Sequence, residues 1–597
     1  MDKVKATWKI INEESGKTSD KRTDYMLKVK GKLIKSDPEV ASSFEEFFTN
    51  VPLNTTKSLD SSPAAAISLL EKCVPECNIK FQFKHITCND IVKTFKLINL
   101  KKSKDIWGMS TVILNSVINV IGSELSIIFN RCIDCGVFPD EMKLSKITPL
   151  FKAGSESDPS NFRPVSVLPA LSKVIEKIML DQLSLHFNKN KLLHNKQYGF
   201  TKGRSTIDAG VKLISDIFNA WEESYDGVGV FCDLSKAFDC VHPDILVGKL
   251  QHYGVDGKAS SLMNSYLKGR IQRVHVNGVT SPGSQVSMGV PQGSILGPFL
   301  FLIYINDLPF FVNEVHEMVL FADDTSLLFK VNRNNVLLDD VNNSISRIVN
   351  WFNVNNLLLN ENKTKCIRFT TTSVKRDIGN LKIKDSELNF VDKTVFLGIT
   401  IDSKLQWGPH IETLLNRLSS AAYAVKKIRQ FTDEDTAKIV YHSYFHSVMS
   451  YGILLWGAAA EVQSIFVLQK RAVRGICCVS PRESVRNKFK ELNIMTLSGQ
   501  YILEALLYVQ KNINDFKTNG DFHQYNTRNR TNLSVRPTRL QKINHSLYGN
   551  CIRFYNKLPS EIRELSLNKF KALVKRKLIN KAFYKFEDYL NDPNPWD

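Results

Sequence analysis

The sequence predicts a multidomain α+β fold, with helices toward both ends and strands between them. Three observations carry that reading. Apolar residues recur every three or four positions from "HITCNDIVKTFKLINLKKSKDIWG" to about Arg131, and again after Trp407, as on one face of a helix. Between those stretches, "GRIQRVHVNGVTSPGSQVSMGV" alternates polar and apolar residues around "NG", which suits a hairpin, and "GVGVFC" and "MVLF" look like apolar strands. At 597 residues the chain also exceeds what one compact core holds.

In chain order, residues 1–90 form a Lys-rich extension, with "KSLDSSPAAA" as a loop or linker. Residues 91–142 are helical. Between Ile147 and Leu171 come short extended segments broken by Pro149, Pro159, Pro164 and Pro169. Helical periodicity returns in "SKVIEKIMLDQLSLHF", and "GVGVFCDLSKAF" is expected to be a strand turning into a helix. "GSILGPFLFLIYINDL" suits a buried helix, and another helix is expected near Asn335 to Asn355. Ile411 to about Gln430 is amphipathic and basic. The remainder is mostly helical and rich in Lys and Arg, with "YNTRNRTNLSVRPTRLQK" as a basic loop. No internal repeat is visible.

A hydrophobic content of 43% with 23% charged residues is that of a folded chain. The formal charge of +19 points to a polyanionic partner. No uninterrupted apolar stretch approaches the ~20 residues that span a bilayer, and no membrane partner is expected. The N-terminus lacks the apolar core of a signal peptide. The 11 cysteines are scattered, which suits a reducing compartment. Cys73 with Cys77, and Cys132 with Cys135, have metal-like spacing but no second pair, and are read as ordinary thiols.

The sharpest anomaly is "MVLFADDTSLLF". Asp323 and Asp324 interrupt an apolar run, where an unpaired carboxylate is costly. Asp233 ends a second apolar strand. The plainer alternative, that each Asp caps an element or pairs with a lysine, suits one such residue better than three. Three carboxylates on neighbouring strands call for a divalent cation, and oxygen ligands select a hard one such as Mg²⁺, with Mn²⁺ as the substitute. Two such ions ~4 Å apart would activate a hydroxyl and stabilise a leaving oxygen in phosphoryl transfer.

Eight blocks in order then carry a resemblance: "GVFPDEMKLSKITPLFK", "NFRPVSVLPALSKVIEKIM", "QYGFTKGRST", "FCDLSKAFDCVHPDIL", "GVPQGSILGPFLFLIYINDLP", "LFADDTSLL", "NWFNVNNLLLNENKTK" and "FLGITID". Together they resemble the reverse transcriptase of non-LTR (LINE-type) retrotransposons, most like the jockey group. The resemblance implies a right-hand polymerase with an antiparallel palm sheet. It places fingers and palm in residues 143–402, a thumb-like helical region in 403–480 and a basic helical region in 481–597, with 91–142 as the polymerase's helical N-terminal part. Asp233 matches the first metal-binding aspartate, and Asp323 and Asp324 match the catalytic pair.

Lys152 and Arg163 match the basic pair on the incoming triphosphate, where Arg grips oxygens bidentately and Lys offers a point charge. Phe238 stands in the place of an aromatic gate against the 2′-hydroxyl; its alternative is a core phenylalanine. In "GVPQGS", Gly289 and Gly293 flank Pro291 and permit close backbone approach. Gln292, with Gly293, is expected at the nucleotide. Ala322 leaves room for the primer end. Lys363, with Lys365 nearby, is a candidate proton donor to pyrophosphate. Lys470, Arg471 and Arg474 are expected along a duplex channel, and Trp456 in the core.

Implied partners are an RNA template, a DNA primer or target, and dNTPs. An apurinic-type endonuclease is expected upstream in such elements and is not recognisable here, so the chain reads as a truncated frame; nucleus and cytoplasm are the expected locations. An intron-type reverse transcriptase with maturase function, or an inactive or domesticated RNA-binding relic, are the alternatives.

Overall fold

The computed structural model describes residues 25–596, apart from 30, 313–315, 334–337, 373–380, 384–385, 523–528, 536 and 545. The start of the chain, "KATWKIINEESGK", and Asn335 therefore lie outside the described residues, as does part of the basic loop beginning at Tyr525.

The N-terminal part is helical: α1 (Asp37–Thr56), α2 (Pro63–Cys73), α3 (Cys88–Lys96) and α4 (Thr111–Cys135). The expected linker "KSLDSSPAAA" is only half loop. Ser62 accepts from the Ala65 N–H and Pro63 takes the first helical position, so the alanines start α2. Nor is this region a free extension. Phe44 and Phe48 of α1 pack with Phe162, Val274 and Val276, while Ala66 and Leu70 of α2 join the main core. The longest helix here is α4. At 25 residues it is long and apolar enough, by length and composition, to cross a bilayer. One side, with Leu114, Ile118, Leu125 and Phe129, is buried in the core, whereas Val120 and Ile127 are exposed.

Next come β1 (Leu144–Phe151), β2 (Phe162–Val167), α5 (Ala170–Lys189), α6 (Thr206–Glu222), β3 (Tyr225–Cys232), α7 (Pro243–His252), α8 (Gly257–Leu267), β4 (Arg270–Val276) and β5 (Val279–Thr280). One sheet runs β2-β1-β4-β5, antiparallel except for the β1–β4 pair. Pro149 and Pro164 do not break it. They face each other across β1 and β2, where a non-hydrogen-bonded pair needs no N–H from either. The β4–β5 turn is the expected "NG", with positive φ at both Asn277 (47°) and Gly278 (91°).

The second sheet is built from β3, β6 (Glu317–Phe321), β7 (Asp324–Asn332) and β8 (Lys365–Phe369), in the order β8-β3-β7-β6 and antiparallel throughout. Both its faces are covered, so its strands are apolar on both sides. Val228, Val230, Leu327 and Phe329 face the core shared with α2, α5, α7 and α9 (Gly297–Ile305). Val319, Leu328, Ile367 and Phe369 face a second core, made with α6 and the helices after the sheet: α10 (Gly408–Phe431), α11 (Val462–Cys477) and α12 (Leu497–Lys511). The Gly–Val alternation of β3 follows from this: a Cβ at Gly229 would stand 2.8 Å from the Phe369 ring.

The helix expected directly after β3 is absent. Residues 235–239 form turns, with Lys236 at φ 51°. Their backbone is satisfied across the chain instead: Ser235 N donates to Leu358 O, and Asn360 N donates to Asp233 O, both at 2.8 Å.

Candidate active site

Strand register brings the acidic residues together. Thr325 pairs with Cys232, and Lys365 with Phe231. One step beyond β3, Asp233 therefore has Asp324 on one side, and two residues before β8 Lys363 falls on the other. Lys363 Nζ lies 3.9 Å from Asp233 Oδ2, whereas Lys365 donates to the Asn362 carbonyl. Asp233, Asp324 and Lys363 line one cleft with Thr394 to Leu397.

Asp323 sits in the two-residue turn joining β6 to β7. That turn is held from behind. Gln197 Oε1 accepts from Ala322 N (3.2 Å) and Gly199 N (2.8 Å). Leu320 exchanges backbone bonds with Lys196 and Tyr198, adding the 196–199 segment to the sheet edge. Gly199 must be glycine here, because a Cβ would collide with the Ala322 backbone nitrogen. Ala322 itself is buried with φ 56°.

The electrostatics are unbalanced. Burial raises Asp323, the Asp233 charge adds to this, and Arg163 offsets it. Asp324, exposed as a residue but lining the cleft, is pushed up to about 6 by burial and then by Asp323 and Asp233. Opposite them, Lys152 is lowered first by Arg163, then by burial and by Lys363, while Asp233 offsets the shift. Among the described residues, no three His, Cys, Asp or Glu side chains are grouped so as to hold a metal ion as they stand. The aspartates form an open, mutually repelling group.

Comparison with known proteins now decides the domain. Residues 152–401 match the family model "Reverse transcriptase (RNA-dependent DNA polymerase)". This segment is a reverse transcriptase domain. Two relatives come from Drosophila melanogaster. "Probable RNA-directed DNA polymerase from transposon BS" is 28% identical over 79% of this chain and 53% of its own length. "RNA-directed DNA polymerase from mobile element jockey" is 27% identical over 65% of this chain and 43% of its own. The chain thus spans about half the length of these relatives.

Within the reverse transcriptase domain, Phe238 is half-buried and stacks on Phe301 at 4.4 Å. Gly289 (φ 94°) and Gly293 (φ 107°) both need glycine, and a Cβ at Gly293 would stand 2.6 Å from Ser166 O. Gln292 Nε2 is bonded to Asp239. Behind this loop, buried Glu176 accepts from Ile295 N, Ser172 and Tyr266, and burial raises its pKa.

Sequence reasoning missed Gln197, Asp239 and Glu176. Each acts through a partner far along the chain, and the "QYGF" and "AFD" stretches alone held a signal. Outside the domain, the expected Lys470, Arg471 and Arg474 cluster is partly engaged within the chain. Lys470 lies over the Phe466 and Tyr584 rings, and Arg474 donates two bonds to the Glu483 carbonyl, so only Arg471 is exposed and without such a contact here. Trp456 is fully buried.

Proposed function

We propose that this chain is the RNA-directed DNA polymerase of a jockey-like, non-LTR retrotransposon, extending a DNA 3′ end on an RNA template. One observation carries the reading: three aspartates meet at one end of an antiparallel sheet, with Lys152, Arg163 and Lys363 close enough to couple to them electrostatically. In this reading the four-stranded sheet is the palm, the β2-β1-β4-β5 sheet belongs to the fingers, and the helices from α10 onward begin the thumb.

Asp233, Asp323 and Asp324 would hold divalent ions, Mg²⁺ foremost. Such ions, when bound, supply charge neutralisation and Lewis-acid activation. The chain's own residues do the rest. Lys152 and Arg163 draw in the triphosphate of a dNTP, Arg163 bidentately. Phe238 closes the floor under the sugar, and the short Ala322 side chain leaves space for the primer end. The primer 3′-oxygen attacks the α-phosphorus, the bond to the pyrophosphate oxygen breaks, and Lys363 stands by to protonate that oxygen.

Primer extension on poly(rA)/oligo(dT) with purified protein and Mg²⁺ tests the reading. Wild-type protein should incorporate dTTP, and Asp323→Asn should abolish extension while binding of the hybrid persists. Near-normal extension by Asp323→Asn would remove the aspartates from the chemistry.

A further inference from the structure

Asp239 follows the aromatic Phe238 in the turn after β3. Both its carboxylate oxygens accept from Gln292 Nε2, at 2.7 and 2.9 Å. Nε2 lies within hydrogen-bond distance of both oxygens, so the Gln292 amide presents its NH₂ group to the Asp239 carboxyl. Its Oε1 is thereby turned away from the Asp239 carboxyl and can accept a hydrogen bond from another donor.

The main chain fixes the same two segments together. Val290 N donates to Phe238 O at 2.9 Å, and Gly289 N donates to Val241 O at 2.7 Å. A Cβ on Gly289 would stand 2.7 Å from the Asp239 carbonyl oxygen, so the segments touch backbone to backbone. On the far side, Gln292 O accepts from Ser166 N in β2, the strand that carries Arg163. Gln292 is therefore tied at its backbone to the Arg163 strand and at its side chain to the Phe238 turn.

We propose that Asp239 is a positioning residue for nucleotide selection: it orients the Gln292 amide so that Oε1, an acceptor, meets the incoming nucleotide. The inference rests on the polymerase reading, with Gln292 at the nucleotide. Asp239 touches neither substrate nor metal in this scheme and acts only through Gln292.

A double-mutant cycle on dTTP incorporation tests it. Gln292→Ala should raise KM for dTTP on the order of tenfold, the scale of one lost charge-assisted contact. Asp239→Ala should raise KM comparably, with kcat within about twofold of wild type. On the Gln292→Ala background, Asp239→Ala should then add nothing, because its only route of action is gone. Asp239→Asn retains one acceptor and should give an intermediate KM with an unchanged melting temperature; it also carries the cycle should the alanine variant fold poorly. Multiplicative losses in the double variant, or an unchanged KM in Asp239→Ala or Asp239→Asn, would overturn the proposal. An unchanged KM in Gln292→Ala would overturn the placement of Gln292 at the nucleotide as well, which separates the two failures.

Discussion

Burial, then the charges of Asp323 and Asp233, push Asp324 up to about 6 from an ordinary 3.8. Because its folded pKa is raised, the stability it contributes is full below the ordinary value and is lost as pH rises through 6. A divalent ion binds the deprotonated form and works in the opposite direction. The rise in melting temperature caused by Mg²⁺ should therefore grow between pH 5 and pH 7.5, following the value about 6. Thermal shift assays with and without Mg²⁺ would show this, and in Asp324→Asn the growth should flatten. A metal-induced rise independent of pH would contradict the arrangement. Phe238 makes a second prediction at this scale. Replacing it with Val removes the stack on Phe301 and should cost about 1 kcal/mol of stability. It should also raise ribonucleotide incorporation relative to deoxyribonucleotide, read by competing the two in primer extension. The acidic triad was legible because carboxylates inside apolar runs violate a strong rule. Asp239 was not, since a polar residue in a turn violates none until its partner 53 positions away is known.

At the level of elements, the turn carrying Asp323 depends on the segment behind it. Gly199→Ala places a methyl against the Ala322 backbone, which cannot yield without moving the turn. It should destabilise the protein by roughly 1–3 kcal/mol, the cost of overpacking. Extension should fall tenfold or more at saturating dNTP, because an ångström-scale displacement of a reacting group is enough for that. Denaturant unfolding and kcat would report the two effects separately. A buried pair makes a contrasting case. Lys249 and Asp307 are fully buried 2.5 Å apart, with Trp351 Nε1 also donating to Asp307. Asp307→Ala leaves an unpaired buried ammonium and should cost about 3–5 kcal/mol, measurable by urea unfolding. Periodicity revealed most of the long helices and the "NG" hairpin, whose signals are local. It failed after β3, where the backbone bonds to residues 358 and 360 replace helical ones. No local pattern announces such an exchange. The helix α6 likewise went unread, although Ser205 and Asp208 form a capping box at its start.

Over the whole molecule, the net charge of +19 sets the response to salt. Affinity for an RNA–DNA hybrid should fall linearly on a log–log plot, each lost phosphate contact lowering the slope by about 0.7–0.9. Arg471→Ala should flatten that slope by at most one contact. Arg474→Ala should instead lower the melting temperature with the slope unchanged, since its guanidinium is bonded to Glu483. A slope change confined to Arg474→Ala would reverse this assignment.

The two-faced sheet has a practical corollary for anyone cutting the gene. Cleaving after Asp402 keeps every residue assigned here to the chemistry. It also strips the cover from Val319, Leu328, Ile367 and Phe369, and from the α6 residues Ile214, Ile217 and Trp221 beside them. Such a bare apolar wall seeks company, and a chain ending at Asp402 with its N-terminal part intact should elute as large aggregates in size-exclusion chromatography. A fragment that also carries the helices through Trp596 should elute as a defined species. The smallest piece expected to stay in solution is therefore longer than the piece that holds the proposed catalytic groups.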